Sequence, residues 1–272
     1  MNHTIDLHLH STASDGTLSP TELAGHVAQY GVDLIALTDH DCIAGLGECR
    51  SAANRLGIRF IDGVELSANW KNKGVHIIGL DFDPDNGGFR NCLTVSQCIR
   101  HQRNEKIAAK LGEAGIAVPV ELYRDKNTGR SHFAKYLSES GQVRSPQQAF
   151  KRYLGDGKSA SVETRWPDLT KILSIISAAG GYSVLAHPEK YKLTMTGLNQ
   201  LISDFASSGG DALELDPTTD SGGQQQLICL CRKHRLRVSF GSDFHSPDQF
   251  WLKPGRENAL PGELEAIWDL FA

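Results

Sequence analysis

No Cys-x-x-Cys pair occurs in this sequence, although it holds six cysteines: Cys42, Cys49, Cys92, Cys98, Cys229 and Cys231. The spacing excludes zinc-ribbon and thioredoxin-type thiolate pairs, and nothing reads as a disulfide framework, so a reducing cytoplasm is the expected location. Cys229 and Cys231 sit in a helix-like run and read as small hydrophobes. No charged-then-apolar leader resembles a signal peptide, and no run of eighteen apolar residues could span a membrane. Net positive charge is also missing: the formal value is -4, which leaves no global basic field for nucleic acid. An anionic substrate would need metals or a few placed arginines. No Gly-x-Ser-x-Gly elbow occurs, which argues against serine-nucleophile hydrolysis. Internal repeats and low-complexity linkers are absent as well. What remains, 272 residues with 40% hydrophobic and 22% charged side chains, suits a soluble chain with a full core, in one large domain or two small ones.

Histidine is the informative residue. Of eleven, His8, His10, His40, His187 and His245 lie at or just beyond the ends of apolar runs, His40 between two Asp and His187 before Pro. Asp6-Leu7-His8-Leu9-His10 alternates polar with apolar, the period of a half-buried strand, so His8 and His10 project from one face. Two imidazoles at a strand's C-terminal end form half of a metal site, and Asp15 could fold back across a Ser/Thr/Gly-rich turn. Taken alone, the stretch is equally a His-rich strand on a solvated sheet face.

The chain then repeats a rhythm. Ser19-Pro20-Thr21-Glu22 reads as a capped helix start running to about Gly31, with His26 an ordinary surface or packing residue. A strand over 32–38 delivers His40, a helix follows near 47–56, and a strand over 58–66 carries Glu65. A further strand over 75–80 carries His76. From 96 to 165 the pattern breaks into polar, largely helical sequence: a helix opens at Arg100, continues through Leu111 and ends at Gly115. Gly129 to Tyr136 reads as a loop entering another helix. The rhythm returns with strands ending at His187, at Ala212-Leu213-Glu214-Leu215, and at Asp243 and His245. Strands separated by helices predict parallel βα units. The expected fold is α/β, a distorted (β/α)7 barrel formed by residues 1–95 and 166–272, with 96–165 an inserted helical subdomain capping the substrate.

The candidates His8, His10, Asp15, His40, Glu65, His76, His187, Asp243 and His245 all fall at strand ends, where barrel active sites gather. Six histidines and three carboxylates exceed one tetrahedral ion and suit two or three divalent ions with a bridging carboxylate. Imidazole and carboxylate donors without thiolate favour Mn first, with Fe or Zn as alternatives.

The motifs Asp6-Leu7-His8-Leu9-His10-Ser11, Thr38-Asp39-His40-Asp41, Gly63-Val64-Glu65, Ala186-His187-Pro188 and Gly241-Ser242-Asp243-Phe244-His245 resemble the polymerase and histidinol phosphatase (PHP) superfamily of metallophosphoesterases. The resemblance covers nearly the whole chain. It implies a trinuclear site: His8, His10, Glu65 and Asp243 for one ion, Glu65, His76 and His187 for a second, and Asp15, His40 and His245 for a third. Arg100 to Asn104 and Gly129 to Ala134 resemble the branch that removes the 3′-phosphate from nucleoside 3′,5′-bisphosphates, some members of which trim RNA from its 5′ end. Substrate contacts are then expected from Arg103, Asn104, Arg130 and His132, with Arg130 as a fork for phosphate. His187, His245 and Asp243 form the expected catalytic set, either histidine being able to protonate the leaving alkoxide. The implied partners are a small nucleotide or short RNA ends, with no stable protein partner. Alternatives are a histidinol-phosphate-type monoesterase, a non-catalytic metal-binding regulatory module, and an amidohydrolase, which would want a lysine or carbamate bridge where Glu65 stands.

Overall fold

The computed structural model describes residues 4–125, 127–215, 219, 221–249, 252–255, 260 and 262–271. Seven strands run in sequence order through one sheet: β1 (Ile5–Leu9), β2 (Leu34–Leu37), β3 (Arg59–Trp70), β4 (Lys73–Leu80), β5 (Tyr182–Leu185), β6 (Ala212–Leu215) and β7 (Arg237–Phe240). The two ends of the sheet meet. Beyond β7, Asp243 N donates to His8 O at 3.0 Å, and His10 N donates to Phe244 O at 3.0 Å. The result is a distorted (β/α)7 barrel.

The distortion lies in β4. Pairs β1–β2, β2–β3, β5–β6 and β6–β7 are parallel, as the strand–helix rhythm predicts. Both pairs made by β4 are antiparallel, contrary to that expectation. The cause is local: β3 and β4 are joined by the two residues Lys71 and Asn72, too few for a crossover, and Lys71 turns the chain at φ 53°.

Helices α1 (Pro20–Ala28) and α2 (Leu46–Arg55) follow β1 and β2. The capping box at α1 forms as read: Glu22 N donates to Ser19 Oγ at 3.2 Å and Ser19 N to Glu22 Oε2 at 2.8 Å. The helix stops at Ala28, just short of Gly31 at φ 67°. His26 stacks on Phe244 with 5.1 Å between centroids, a packing role. Between β4 and β5 come α3 (Gly87–Glu113), α4 (Val120–Arg124), α5 (Arg130–Glu139) and α6 (Pro146–Ala149), the last running into a π turn at Phe150–Leu154. Helix α3 starts far earlier than the expected Arg100, because Asn86 caps it by accepting from Phe89 N at 3.0 Å. Gly87 and Gly88, poor helix formers, hide that start in the sequence. Helices α7 (Leu169–Ala178), α8 (Met195–Ser207) and α9 (Ser221–His234) complete the barrel's cover. In α9 Cys231 is buried but Cys229 is exposed, so only Cys231 fills the hydrophobic role expected of both.

Helices and strands of the barrel share a large apolar core, strand residues such as Leu7, Ile78 and Val184 form a second cluster, and Ile107, Leu111, Phe133, Leu137 and Leu154 build a third inside the insertion. A polar contact ties the insertion to the barrel. Arg100 of α3, only 4% exposed, donates to the Asp41 carboxylate and lies over the Trp166 ring at 5.5 Å. Asp41 also accepts from Ser67 N at 2.9 Å and Ser67 Oγ at 2.8 Å. Burial would raise the Asp41 carboxyl; the guanidinium outweighs it and holds the group below its ordinary value. Arg100→Met removes the cation from a buried carboxylate and should cost about 3 kcal/mol. Urea unfolding of the metal-free protein measures this, and a loss under about 1 kcal/mol would place the pair among surface ion pairs.

Candidate metal centre

Seven of the nine ligand candidates come from the end of a strand or the turn after it, whereas Glu65 and His76 lie inside β3 and β4, which run on past them as a hairpin. β1 presents His8 and His10, with ring centroids 5.1 Å apart. The turn that follows is pinned by the buried Asp39, which accepts from Ser11 N at 2.8 Å, Ser11 Oγ at 2.7 Å and Ser14 Oγ at 2.5 Å. That holds Asp15 back over the barrel mouth. His40 follows β2 and bridges to Glu65 in β3; His76 comes from β4, His187 follows β5, and Asp243 and His245 follow β7. Asp41, His187 and Asp243 adopt left-handed φ values of 50°, 31° and 54°, three of the seven non-glycine residues with positive φ among the described residues.

All nine residues converge on one cluster, and Glu65 is its centre, fully buried. Its Oε1 lies 2.8 Å from His76 Nδ1 and 3.0 Å from His187 Nε2. Its Oε2 lies 2.7 Å from His40 Nδ1, 3.4 Å from His10 Nε2 and 3.5 Å from His8 Nε2. Asp243 Oδ1 adds 3.4 Å to His8 Nε2 and 3.3 Å to His10 Nε2. Asp15 Oδ1 lies 3.3 Å from His245 Nε2 and 3.8 Å from His40 Nε2. Among the described residues, four groups have ligand atoms close enough to share an ion: His10, Asp15, His40 and His245; His8, His10 and Asp243; His8, Glu65 and His187; His40, Glu65 and His76.

The donors fit divalent ions. His8 Nε2 and both ring nitrogens of His10 are buried without a hydrogen-bond partner, and buried polar atoms in folded proteins are otherwise almost always paired. The charges show the same stress. Burial, with the neighbouring His245, drives His10 down to about 3. At His245 burial also lowers the value, but the Asp15 and Asp243 carboxylates outweigh it and raise it to about 10. Glu65 is held well below the carboxylate range, because His40, His76 and His8 outweigh its burial.

Beside this cluster a cleft of about 890 Å³ opens between barrel and insertion. His76 and His187 form part of its wall, together with Arg103, Arg130, Lys71, Lys73, Lys190, Lys192 and the rings of Trp70, Trp166 and Tyr191. Arg103 is 9% exposed, its Nε has no partner, and burial plus the nearby Arg100 and Arg130 lowers it to about 9. Asn104 and His132 do not reach the cleft lining. Asn104 is buried and its Nδ2 donates to Thr128 O at 2.8 Å, while His132 Nδ1 accepts from Gly129 N at 3.0 Å inside the first turn of α5. Both bonds brace loop 128–132.

Three participants escaped the sequence reading. Glu214 in β6 touches both His8 and His187. Ser131 Oγ donates to Asp15 Oδ2 at 2.6 Å, so the insertion reaches a candidate ligand directly. Lys190 Nζ lies 2.8 Å from Asp243 Oδ2. Only Glu214 carried a signal, a carboxylate between two leucines in an apolar strand.

Comparison with known proteins now has a geometry to meet. The PHP domain family matches residues 6–182, and the chain belongs to that family. A 5′-3′ exoribonuclease of Haemophilus influenzae is 41% identical over 275 residues, covering all of both chains. A 3′,5′-nucleoside bisphosphate phosphatase of Chromobacterium violaceum is 37% identical over 97% of this chain and 95% of its own. A solved C. violaceum structure described as an amidohydrolase with bound sulfate superposes with a TM-score of 0.91 at 37% identity, over 98% of this chain and 95% of that one. A Bifidobacterium adolescentis structure aligns at a TM-score of 0.80 and 24% identity over 98% and 94%, a likeness of fold alone. Among the described residues, no helix is long and apolar enough to cross a membrane.

Removing β1's pair tests the centre. The double variant His8→Ala, His10→Ala should lose at least one bound transition-metal ion by elemental analysis and release no phosphate. Asp15→Asn should keep the fold and lose turnover at limiting Mn, because Asp15 sits in a turn; unchanged turnover would reduce it to a turn-former.

Proposed function

We propose that this protein is a metal-dependent phosphoesterase that hydrolyses the 3′-phosphoester of a 5′-phosphorylated nucleotide. Nucleoside 3′,5′-bisphosphates would yield the nucleoside 5′-monophosphate and phosphate. Trimming of an RNA 5′ end breaks the same bond, between phosphorus and the 3′-oxygen of the first nucleotide, so one site serves both substrates named for its relatives. The observation that carries the reading is that one cleft is walled by candidate metal ligands and by an insertion bearing buried arginine.

In this reading His8, His10, Glu65 and Asp243 hold one ion, Glu65, His76 and His187 a second, and Asp15, His40 and His245 a third. The two Glu65 oxygens support the first two sets, Oε1 facing His76 and His187 while Oε2 faces His8 and His10; His40, given to the third set, lies beside Oε2 as well. Divalent ions there, with Mn the first choice and Fe or Zn next, would neutralise the phosphoryl oxygens and lower the pKa of an attacking water. The chain's own residues do the rest. Arg103 and Arg130 hold the phosphate that does not react, and an anion there offsets the mutual repulsion of the guanidiniums. His187 and Lys190 stand on the cleft wall beside the leaving 3′-oxygen, and Lys190 lies 2.8 Å from Asp243 Oδ2; as a ligand His187 orients that side rather than giving up its proton. Residues 96–165 cap the substrate against the barrel formed by 1–95 and 166–272, in a cytoplasmic enzyme.

A histidinol-type substrate fits less well, because its amine would face Arg103, Arg130 and Lys190. An amidohydrolase would want a lysine-derived bridge, and Glu65 occupies that place.

The test compares two substrates. Arg130→Ala should lower kcat/KM for a nucleoside 3′,5′-bisphosphate about ten- to a hundredfold, the worth of one charge-assisted contact. On a nucleoside 3′-monophosphate, which lacks the second phosphate, the rate should stay close to wild type. Equal losses on both would move Arg130 to the reacting phosphate, and no loss on either would return it to the surface.

A further inference from the structure

Glu214 lies outside the nine candidate ligands, yet both its carboxylate oxygens are committed to two of them. Oε1 is 2.8 Å from His8 Nδ1, and Oε2 accepts from His187 N at 2.7 Å. The side chain is 1% exposed, and His8 is wholly buried. The residues it holds come from opposite parts of the barrel, the end of β1 and the turn after β5, and their rings stack with 5.7 Å between centroids. Space for the contact depends on Gly241, where a Cβ would fall 2.3 Å from Glu214 Oε1 and 2.3 Å from His8 Cβ. His187 is itself left-handed at φ 31°, a conformation that persists only where surrounding contacts impose it.

We infer that Glu214 is a positioning residue that fixes the ring orientation and tautomer of His8 and the backbone of His187, so that one carboxylate sets two ligands of the metal centre. This rests on reading the cluster as a metal centre. An ionised carboxylate only accepts hydrogen bonds, so His8 carries its proton on Nδ1 and turns the Nε2 lone pair inward. There Nε2 faces Glu65 Oε2 at 3.5 Å and Asp243 Oδ1 at 3.4 Å and has no hydrogen-bond partner. A lone pair aimed at two carboxylates is repelled unless a cation lies between them. Outer-shell carboxylates on metal-bound histidines typically govern affinity by about ten- to a hundredfold.

The test uses Glu214→Gln in the whole protein. Glutamine matches the shape but offers one acceptor and one donor, so it cannot accept from both His8 Nδ1 and His187 N. Mn affinity, measured by competition with a chelating dye, should fall about ten- to a hundredfold. At fixed low Mn, kcat should drop while KM for substrate holds, and raising Mn should restore kcat. In the diamagnetic zinc-loaded wild type, long-range nitrogen–proton spectra should show His8 protonated on Nδ1, with that signal lost in the variant. Wild-type Mn affinity in Glu214→Gln, or a wild-type His8 protonated on Nε2, overturns the role. The wild-type spectrum decides even if the variant does not fold. A wild type that binds neither Mn nor Zn would bring down the metal-centre reading and this role together, whereas failure of the role alone leaves metal binding intact.

Discussion

A single buried carboxylate surrounded by five imidazoles constrains the whole molecule. Glu65 has no exposed surface, and His8, His10, His40, His76 and His187 all approach it within 3.5 Å. Such a cluster is costly to assemble without cations, since each buried ring nitrogen left unpaired forfeits its hydration. The barrel answers by taking those residues from β1 to β5 and the turns after them, so no one element carries the cost. Left-handed backbone at Asp41, His187 and Asp243 is one consequence, and the closure of β1 onto the segment after β7 through His8 and His10 backbone bonds is another.

The insertion belongs to the same arrangement. Arg100 is buried against Asp41, the residue after His40, and Ser131 donates to Asp15. Next to them Arg103 and Arg130 line the cleft. Helices α3 and α5 therefore bring cleft-lining cations and supports for the turns that carry Asp15 and His40 on neighbouring residues. A shift of the insertion would disturb both.

Much of this was legible because strand chemistry is local. A polar residue closing an apolar run marks a strand end, which is how His8, His10, His187, Asp243 and His245 could be picked out before any contact was known; the same rule picks out Glu65, but β3 runs on past it to Trp70. Ser19 and Glu22 likewise announced α1. What stayed hidden depends on distance or on weak local propensity. The antiparallel course of β4 follows from a two-residue turn that composition does not flag. Glu214 meets His8 across 206 positions of sequence, and nothing near it in the chain says so. Asn104 and His132 read as phosphate contacts from their arginine neighbours, and the bonds they make close a loop and a helix turn, which no pattern in the sequence announces.

The claim on which everything rests is that Glu65 divides a multinuclear metal site between its two oxygens. Anomalous diffraction at the manganese edge, from crystals grown with Mn, addresses it directly. The account predicts separate peaks on the Oε1 side, beside His76 and His187, and on the Oε2 side, beside His8, His10 and Asp243. Crystals with no anomalous peak at Glu65, from protein that still releases phosphate, would contradict it.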